Sequence, residues 1–173
     1  MIVDDEENIL KAIKRIIAHS KDWNVEAYTN AEDALSRVLD KKFDLYLSDY
    51  KMPNIDGITF LTAVKNIQPD SMRLILSGYA DLDALMTAIN QAEIFRFITK
   101  PWNDDYLLSS LEQALVYHDA LMENKMLADQ VRKQKKLLDK HNRILAEYKT
   151  KHPDIFTVEW ADDGSISIDD EII

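Results

Sequence analysis

The sequence predicts an α/β fold with an open, mostly parallel β-sheet, followed by a separate helical arm. Short apolar runs alternate with segments of helical period through residues 1–103, an order that is typical of βαβ units. The chain has 173 residues and is 46% hydrophobic, which is enough to bury a sizeable core. Residues 104–150 contain neither Gly nor Pro, so we expect a long helix there.

Five apolar runs are the candidate strands, and they span residues 1–3, 25–28, 43–48, 74–77 and 95–99. Between them, apolar residues recur at helical spacing in four segments, at residues 9–17, 34–39, 60–67 and 82–89. Asn30, followed by Ala31-Glu32-Asp33, fits a helix N-cap with acidic residues in the first turn. The alternation therefore predicts strands joined by crossover helices.

Composition excludes several classes of function. The absence of cysteine excludes disulfides, thiolate metal sites and cysteine nucleophiles. Three glycines leave no material for a Gly-rich phosphate loop. A formal net charge of −10 disfavours direct binding to nucleic acid or to an anionic membrane. No apolar run reaches membrane-spanning length and no signal-peptide pattern is present, so we expect a soluble, cytoplasmic protein.

The acidic excess is distributed unevenly along the chain. Residues 1–103 carry a net charge of −4, residues 104–150 are neutral, and residues 151–173 carry −6. A charge run such as the last is usually solvated surface, so we expect a polar, exposed tail.

Polar side chains stand where the candidate strands end. Asp4 and Asp5 follow the first strand, Asp49 the third, Ser77 the fourth and Lys100 the fifth. Ligands of open parallel sheets bind beyond the carboxyl ends of the strands, so these side chains are expected to converge. Carboxylates so close together repel one another and need a cation. Because the donors are all oxygen, Mg²⁺ is the expected metal.

This arrangement also predicts a reaction. A carboxylate beside Mg²⁺ can attack phosphorus and form an aspartyl phosphate, while a hydroxyl and an ammonium bind the phosphoryl oxygens. Taken one at a time, an Asp after a strand is usually a turn former or a helix cap, and Asp4 and Asp5 fit that role too. The joint pattern at successive strand ends favours a phosphorylatable aspartate.

Four segments carry a resemblance to a known family, namely Val3–Glu6, Leu47–Gly57, Leu76–Gly78 and Phe97–Trp102. Together they resemble the receiver domain of bacterial two-component response regulators, of the type attached to regulatory enzymes or to hydrogenase-regulator-like activators. The resemblance implies a doubly wound, flavodoxin-like sheet of five parallel strands in the order 2-1-3-4-5. The first strand is shorter than is usual in this family.

The resemblance also implies roles for the strand-end residues. Asp49 would be the phosphoacceptor. Asp5 and Asp49 would bind Mg²⁺ directly, Asp4 would hold a metal-bound water, and the backbone carbonyl of Lys51 would complete the protein ligands.

Further roles follow from the same resemblance. Ser77 and Lys100 would bind the phosphoryl group, and the Lys100–Pro101 peptide bond would be cis. Ser77 and Phe97 would form the switch, in which Phe97 replaces the tyrosine that is common in the family. In addition, Pro53 and Gly57 would shape the loop beyond Asp49. Residue chemistry alone predicts that Asp56 is a turn residue, as Asp commonly is in such loops, and that Trp102 acts in packing, because a large aromatic side chain mainly supplies buried area.

Residues 117–148 contain a 3-4 repeat that predicts a coiled coil. Position a holds Tyr117, Asn124, Val131, Leu138 and Leu145, and position d holds Ala120, Leu127, Gln134, His141 and Tyr148. Asn124 at position a favours a parallel homodimer, whereas Gln134 and His141 weaken the seam. The alternative is a single amphipathic helix that packs on another domain. We interpret the repeat as a dimerising extension of the last receiver helix.

The predicted organisation is a receiver domain at residues 1–118, a coiled-coil arm at 119–150 and an acidic tail at 151–173. Within the tail, residues 155–160 and 165–168 flank an Asp163-Gly164 turn and predict a β-hairpin. No output signature is recognisable, so an output domain could be missing from this chain.

The predicted function is phosphoryl acceptance from a sensor histidine kinase or a phosphotransfer protein, without a separate enzyme activity. One alternative is a receiver-like interaction module that is not regulated by phosphate. Another is a phosphatase of the haloacid dehalogenase type, which needs an Asp two residues after the nucleophile, whereas this chain has Lys51 there.

Overall fold

The computed structural model describes residues 1–18, 23–78 and 92–152. Its strands are β1 (Ile2–Val3), β2 (Ala27–Tyr28), β3 (Leu45–Asp49), β4 (Met72–Gly78) and β5 (Arg96–Lys100). Its helices are α1 (Glu7–Ile17), α2 (Ala31–Asp40), α3 (Gly57–Ile67) and α4 (Asp104–Lys151). The predicted helical segment at 82–89 and the predicted hairpin in the tail lie outside the described residues.

The strands form one parallel sheet in the order β2-β1-β3-β4-β5, which confirms the predicted topology. Asp49 pairs with Leu76 at the end of the β3–β4 ladder, and Gly78 pairs with Lys100 at the end of the β4–β5 ladder. Because β1 lies beside β3, the residues that follow β1 meet the ends of β3 and β4 at one edge of the sheet.

Helices cover both faces of the sheet, as a doubly wound fold requires. One apolar cluster joins α2 and α3 to the sheet through Val38, Phe60, Leu61, Val64, Tyr46 and Ile75. A second joins α1 and the first part of α4 to the opposite face through Leu10, Ile13, Leu107, Leu111, Leu74 and Leu76. Ile75 belongs to the first cluster and its neighbours Leu74 and Leu76 to the second, because successive side chains of a strand point to opposite faces of the sheet.

Side-chain caps fix where α2 and α3 begin. The Asn30 side chain accepts a hydrogen bond from the Asp33 N–H at 2.8 Å, which confirms the predicted N-cap of α2. Asp56, expected only to be a turn residue, caps α3 in the same way by accepting from the Thr59 N–H at 2.7 Å. The cap on α3 lies in the loop that follows Asp49 and fixes where this helix starts.

The connection between β5 and α4 has the expected features. The Lys100–Pro101 peptide bond is cis, as predicted. Trp102 packs against the cluster formed by α1, α4 and the sheet, in agreement with the predicted packing role. No helix within the described ranges is both long enough and apolar enough to span a bilayer.

Contacts divide the chain into two units, at residues 1–124 and 125–173. The first contains the sheet and its helices, and the second contains the rest of α4. Because the division falls within α4, the helix continues without interruption from the first unit into the second.

Candidate functional site

The ammonium group of Lys100 lies between two buried carboxylates at the edge of the sheet. Lys100 Nζ lies 2.8 Å from Asp4 Oδ2 and 2.5 Å from Asp49 Oδ1. Lys100 and Asp4 are 96 positions apart in the sequence. The ends of β1, β3 and β5 therefore bring together three of the side chains that the strand-end pattern predicted to converge.

Backbone N–H groups orient the two carboxylates. Asp4 Oδ1 accepts a hydrogen bond from the Glu6 N–H at 2.9 Å, and Asp49 Oδ2 accepts from the Lys51 N–H at 2.9 Å. In each carboxylate, one oxygen thus accepts a hydrogen bond from the backbone that follows the strand, and the other oxygen contacts Lys100. These two contacts fix the direction of the Asp49 side chain at the edge of the sheet.

Burial determines the electrostatics of the site. Asp4 is fully buried and Asp49 is 6% exposed. Desolvation raises the pKa of both carboxyls above the usual range, although Lys100 opposes that effect. For Lys100 itself, burial lowers the pKa of the ammonium, but hydrogen bonds to Asp4 and Asp49 outweigh burial and raise it. The raised pKa thus keeps the ammonium charged between the two carboxyl groups.

Two other predicted residues lie on the neighbouring strands. Ser77 is buried near the end of β4, and its hydroxyl donates to the Gly78 carbonyl at 3.2 Å. Phe97 lies on β5 and is 40% exposed. In this structure, therefore, Ser77 is turned toward its own backbone and the Phe97 ring is partly accessible.

The predicted metal ligands are only partly assembled. Asp4 and Asp49 share Lys100, whereas Asp5 is exposed. Within the described residues, no three acidic or histidine side chains are arranged to hold a metal ion together. The chemistry of the donor set still fits Mg²⁺, because it consists of carboxyl oxygens.

Close packing beneath Asp49 is a feature that the sequence did not reveal. A Cβ atom at Gly57 would overlap the carbonyl oxygen of Asp49 and would lie 3.1 Å from the Ser48 hydroxyl oxygen. The Ser48 hydroxyl is buried and donates to the Asp49 carbonyl at 2.9 Å. Gly57 was predicted only to shape the loop, because a close backbone approach leaves no signal other than the glycine itself.

Arg73 is a second residue that sequence reasoning missed. Its guanidinium group, buried at the start of β4, donates to the carbonyls of Ser71 at 2.6 Å and Ala92 at 2.8 Å. The bond to Ala92 holds the chain that leads into β5, whereas the bond to Ser71 is local. An Arg in an otherwise apolar strand was the only available signal.

The predicted seam of α4 is exposed in the single chain. Its larger apolar side chains are about half accessible, as shown by Leu127 at 50%, Val131 at 62%, Leu138 at 59% and Leu145 at 51%. Leu137 and Ile144, at the neighbouring g positions, are also exposed and widen the apolar stripe.

Comparison with known proteins assigns the family. The family model for the response regulator receiver domain matches residues 1–112. The chain therefore belongs to the receiver domain family of response regulators, and the predicted resemblance is confirmed.

Similar proteins agree with this assignment. The hydrogenase transcriptional regulatory protein HoxA of Bradyrhizobium diazoefficiens is 33% identical over 115 residues, which are 66% of this chain and 23% of that protein. The signal receiver domain of an HD domain-containing protein from Pseudomonas fluorescens Pf-5 superposes with a TM-score of 0.66 at 32% identity, over 70% of this chain and 89% of that one. The chain thus spans about a quarter of the length of the curated relatives it matches.

Proposed function

We propose that this chain is a phosphorylation-operated receiver in which Asp49 accepts a phosphoryl group and α4 carries the resulting change to a second copy. The observation that carries this proposal is the position of Lys100, whose ammonium contacts both Asp4 and Asp49. A cation held beside a nucleophilic carboxylate is what transfer of an anionic phosphoryl group requires.

The donor would be a phosphohistidine of a sensor histidine kinase or of a phosphotransfer protein. An Asp49 carboxylate oxygen attacks phosphorus, the phosphorus–nitrogen bond breaks, and its electron pair returns to the imidazole, which takes up a proton. The product is an acyl phosphate on Asp49. Lys100 then moves from the Asp49 carboxylate to a phosphoryl oxygen, and the Ser77 hydroxyl leaves the Gly78 carbonyl to donate to another.

Magnesium is the cofactor we assign to this step. Asp5 and Asp49 would hold it directly, Asp4 through a water, and Lys51 through its backbone carbonyl. The ion would supply positive charge to the phosphoryl oxygens as the bonds exchange. Asp5 is exposed and Asp4 is buried beside it, so Asp5 could bind the ion without disturbing the core.

The output would pass through Ser77, Phe97 and α4. Movement of Ser77 changes the space above β4, and the exposed Phe97 ring on the adjacent strand can turn inward in response. α4 follows β5 after three residues and places most of its apolar seam in the second unit. A coiled-coil homodimer would cover that seam, and its geometry would report the state of Asp49.

Several parts of the organisation belong to the same proposal. The receiver would occupy residues 1–118, the coiled-coil arm 119–150 and the acidic tail 151–173. Because the matched segment covers only about a quarter of the curated relatives, an output domain outside this chain would receive the signal. The chain would have no separate enzyme activity and would act in the cytoplasm.

The experiment that tests this function is intact mass measurement after incubation with Mg²⁺ and phosphoramidate. The wild-type chain should gain the mass of one phosphoryl group, and Asp49→Asn should gain none. Equal labelling of the two proteins, or no labelling of the wild type, would contradict the proposal. Steady release of phosphate from unrelated esters would instead favour a phosphatase.

A further inference from the structure

The two parts of α4 carry opposite charge, although residues 104–150 are neutral as a whole. Residues 104–124 hold five acidic and no basic side chains, whereas residues 125–151 hold nine basic and three acidic ones. Residues 152–173 then hold seven acidic and no basic side chains. A helical segment with a net charge of +6 is therefore followed directly by a segment with a net charge of −7.

The cations of residues 125–151 lie away from the apolar seam. None of them occupies an a or d position of the heptads that begin at Tyr117. Six occupy positions b, c and f on the opposite side of the helix, and all six are exposed: Lys125, Arg132, Lys133, Lys136, Lys140 and Arg143. We call these six residues the basic face. A dimer formed through the seam would leave it accessible.

Nearby carboxylates balance part of this charge: Asp129 and Asp139, at positions f and b, lie within the span of the basic face and reduce its net charge from +6 to +4. Arg132 pairs with Asp129 at 2.8 Å, and both side chains are exposed. Within residues 1–18, 23–78 and 92–152, the side chains of Lys133, Lys136, Lys140 and Arg143 form no ion pair. The helix dipole does not explain them, because it favours cations only within the last turn. Several cations on one face produce a field that attracts an anionic segment.

We propose that the acidic segment 153–173 folds back and binds the basic face of its own α4. The basic face extends over about 27 Å at 1.5 Å per residue. A 21-residue segment spans up to about 70 Å at 3.3 Å per residue, so its acidic side chains can reach every cation of the face. This contact goes beyond the receiver function and does not depend on phosphorylation of Asp49.

The covalent connection favours this occupant over a free polyanion. A segment joined to the helix by a short connection has an effective concentration in the millimolar range, by order of magnitude. Duplex nucleic acid is the competing occupant, but the net charge of −10 for the chain disfavours its approach. The acidic segment thus shields the basic face from other anions.

Carbodiimide cross-linking of the full chain, followed by peptide mass spectrometry, tests this contact. We expect amide links from the carboxylates of residues 153–173 to Lys133, Lys136 and Lys140. The exposed lysines Lys14 and Lys42 of the first unit serve as internal controls and should not be linked to the tail. In 1 M NaCl, where the screening length is about 3 Å, the links should become several-fold weaker.

Two outcomes of this experiment would overturn the proposal. One is the absence of tail links to the basic face, or equal links to Lys14 and Lys42. The other appears when nitrogen-15-labelled and unlabelled chains are mixed before cross-linking. Links that join labelled to unlabelled peptides, without links inside one chain, would show that the tail binds another copy.

Heparin chromatography provides a second test with a defined polyanion. A full-length variant with the seven tail carboxylates changed to amides should elute at higher salt than the wild type, because its basic face is uncovered. Adding Lys133→Gln, Lys136→Gln and Lys140→Gln to that variant should reverse the gain. Elution of the wild type and the tail variant at the same salt concentration would show that the basic face is already uncovered in the wild type. If the combined variant still elutes at higher salt than the wild type, the heparin site lies elsewhere. Either result contradicts the proposal.

Discussion

Gly57 begins α3 against the backbone of Asp49, so closely that any side chain at position 57 would overlap the Asp49 carbonyl oxygen. The Gly57 N–H also donates to the Tyr50 carbonyl at 2.9 Å, which binds the first turn of α3 to the loop after β3. Because the direction of a side chain follows from its backbone, the packing of Gly57 positions the Asp49 carboxylate.

Replacing Gly57 therefore tests how firmly Asp49 is positioned. We expect Gly57→Ala to lower the free energy of unfolding by about 1–3 kcal/mol, because the added methyl group overpacks a buried backbone. Urea denaturation measures this loss. Thr59→Ala, at an exposed position in the same helical turn, should change stability by less than about 0.5 kcal/mol. A Gly57→Ala protein as stable as the wild type would show that α3 can shift away from Asp49 at no cost.

The role of Lys100 in phosphoryl transfer can be measured separately. We expect Lys100→Met to slow labelling by phosphoramidate about 100-fold, since it removes the one ammonium that contacts Asp49 among the described residues. Lys42→Met, at an exposed position, should label at the wild-type rate. Circular dichroism should confirm that both variants are folded. Wild-type labelling of folded Lys100→Met would remove Lys100 from the mechanism.

Most of the site could be predicted from the sequence because it depends on one topological rule. Asp4, Asp49 and Lys100 were expected to meet because parallel strands end at the same edge of the sheet, and the structure brings them together. The strands in the structure end within a residue or two of the predicted ends, because the β3–β4 ladder continues through Asp49 and the β4–β5 ladder through Lys100. The alternating pattern does not show where backbone pairing stops.

The parts that were missed depend on contacts between distant residues. Gln68 accepts hydrogen bonds from the Phe43 N–H and the Tyr46 hydroxyl and donates to the Val38 and Lys41 carbonyls. Nothing local to Gln68 predicts that role, just as nothing local to Arg73 predicts its bonds to carbonyls before β5. Hydrophobic periodicity reports which face is buried, but not which polar groups meet there.

Glu26 gives the fold a defined pH dependence. Its carboxylate binds Arg37 at 3.0 Å and Lys41 at 2.9 Å, and it accepts from the Tyr28 hydroxyl. Hydrogen bonds from these three groups lower the pKa of Glu26 well below its usual value of 4.5. A carboxyl group whose pKa is lower in the folded state than in the unfolded state stabilises the fold at pH values above the unfolded-state pKa. That stabilisation is lost as the pH falls below about 4.5.

Glu26→Gln should accordingly remove part of the loss of stability on acidification. We expect the difference between the urea midpoints at pH 7 and pH 3 to be smaller in Glu26→Gln than in the wild type. Glu32→Gln, at an exposed position on α2, is the matched control and should keep the wild-type difference. An unchanged difference in Glu26→Gln would mean that the network does not contribute to acid sensitivity.

The dimer proposed for α4 can be tested with two equally exposed residues. Val131 occupies position a and is 62% exposed, whereas Met126 occupies position c and is 63% exposed. We expect Val131→Asp to convert the dimer to a monomer, because a buried seam does not accept an unpaired carboxylate, and Met126→Asp to remain dimeric. Sedimentation equilibrium at several concentrations distinguishes these states. A monomeric wild type at high micromolar concentration would contradict the coiled-coil dimer.

The central claim is that Asp49 itself carries the phosphoryl group. Borohydride reduces an aspartyl phosphate to homoserine, so treatment of the phosphoramidate-labelled chain marks the modified residue permanently. Peptide mass spectrometry should find homoserine at position 49 and aspartate at positions 4 and 5. Homoserine at position 4 or 5, or at no position in a chain that has gained the mass of a phosphoryl group, would contradict the account.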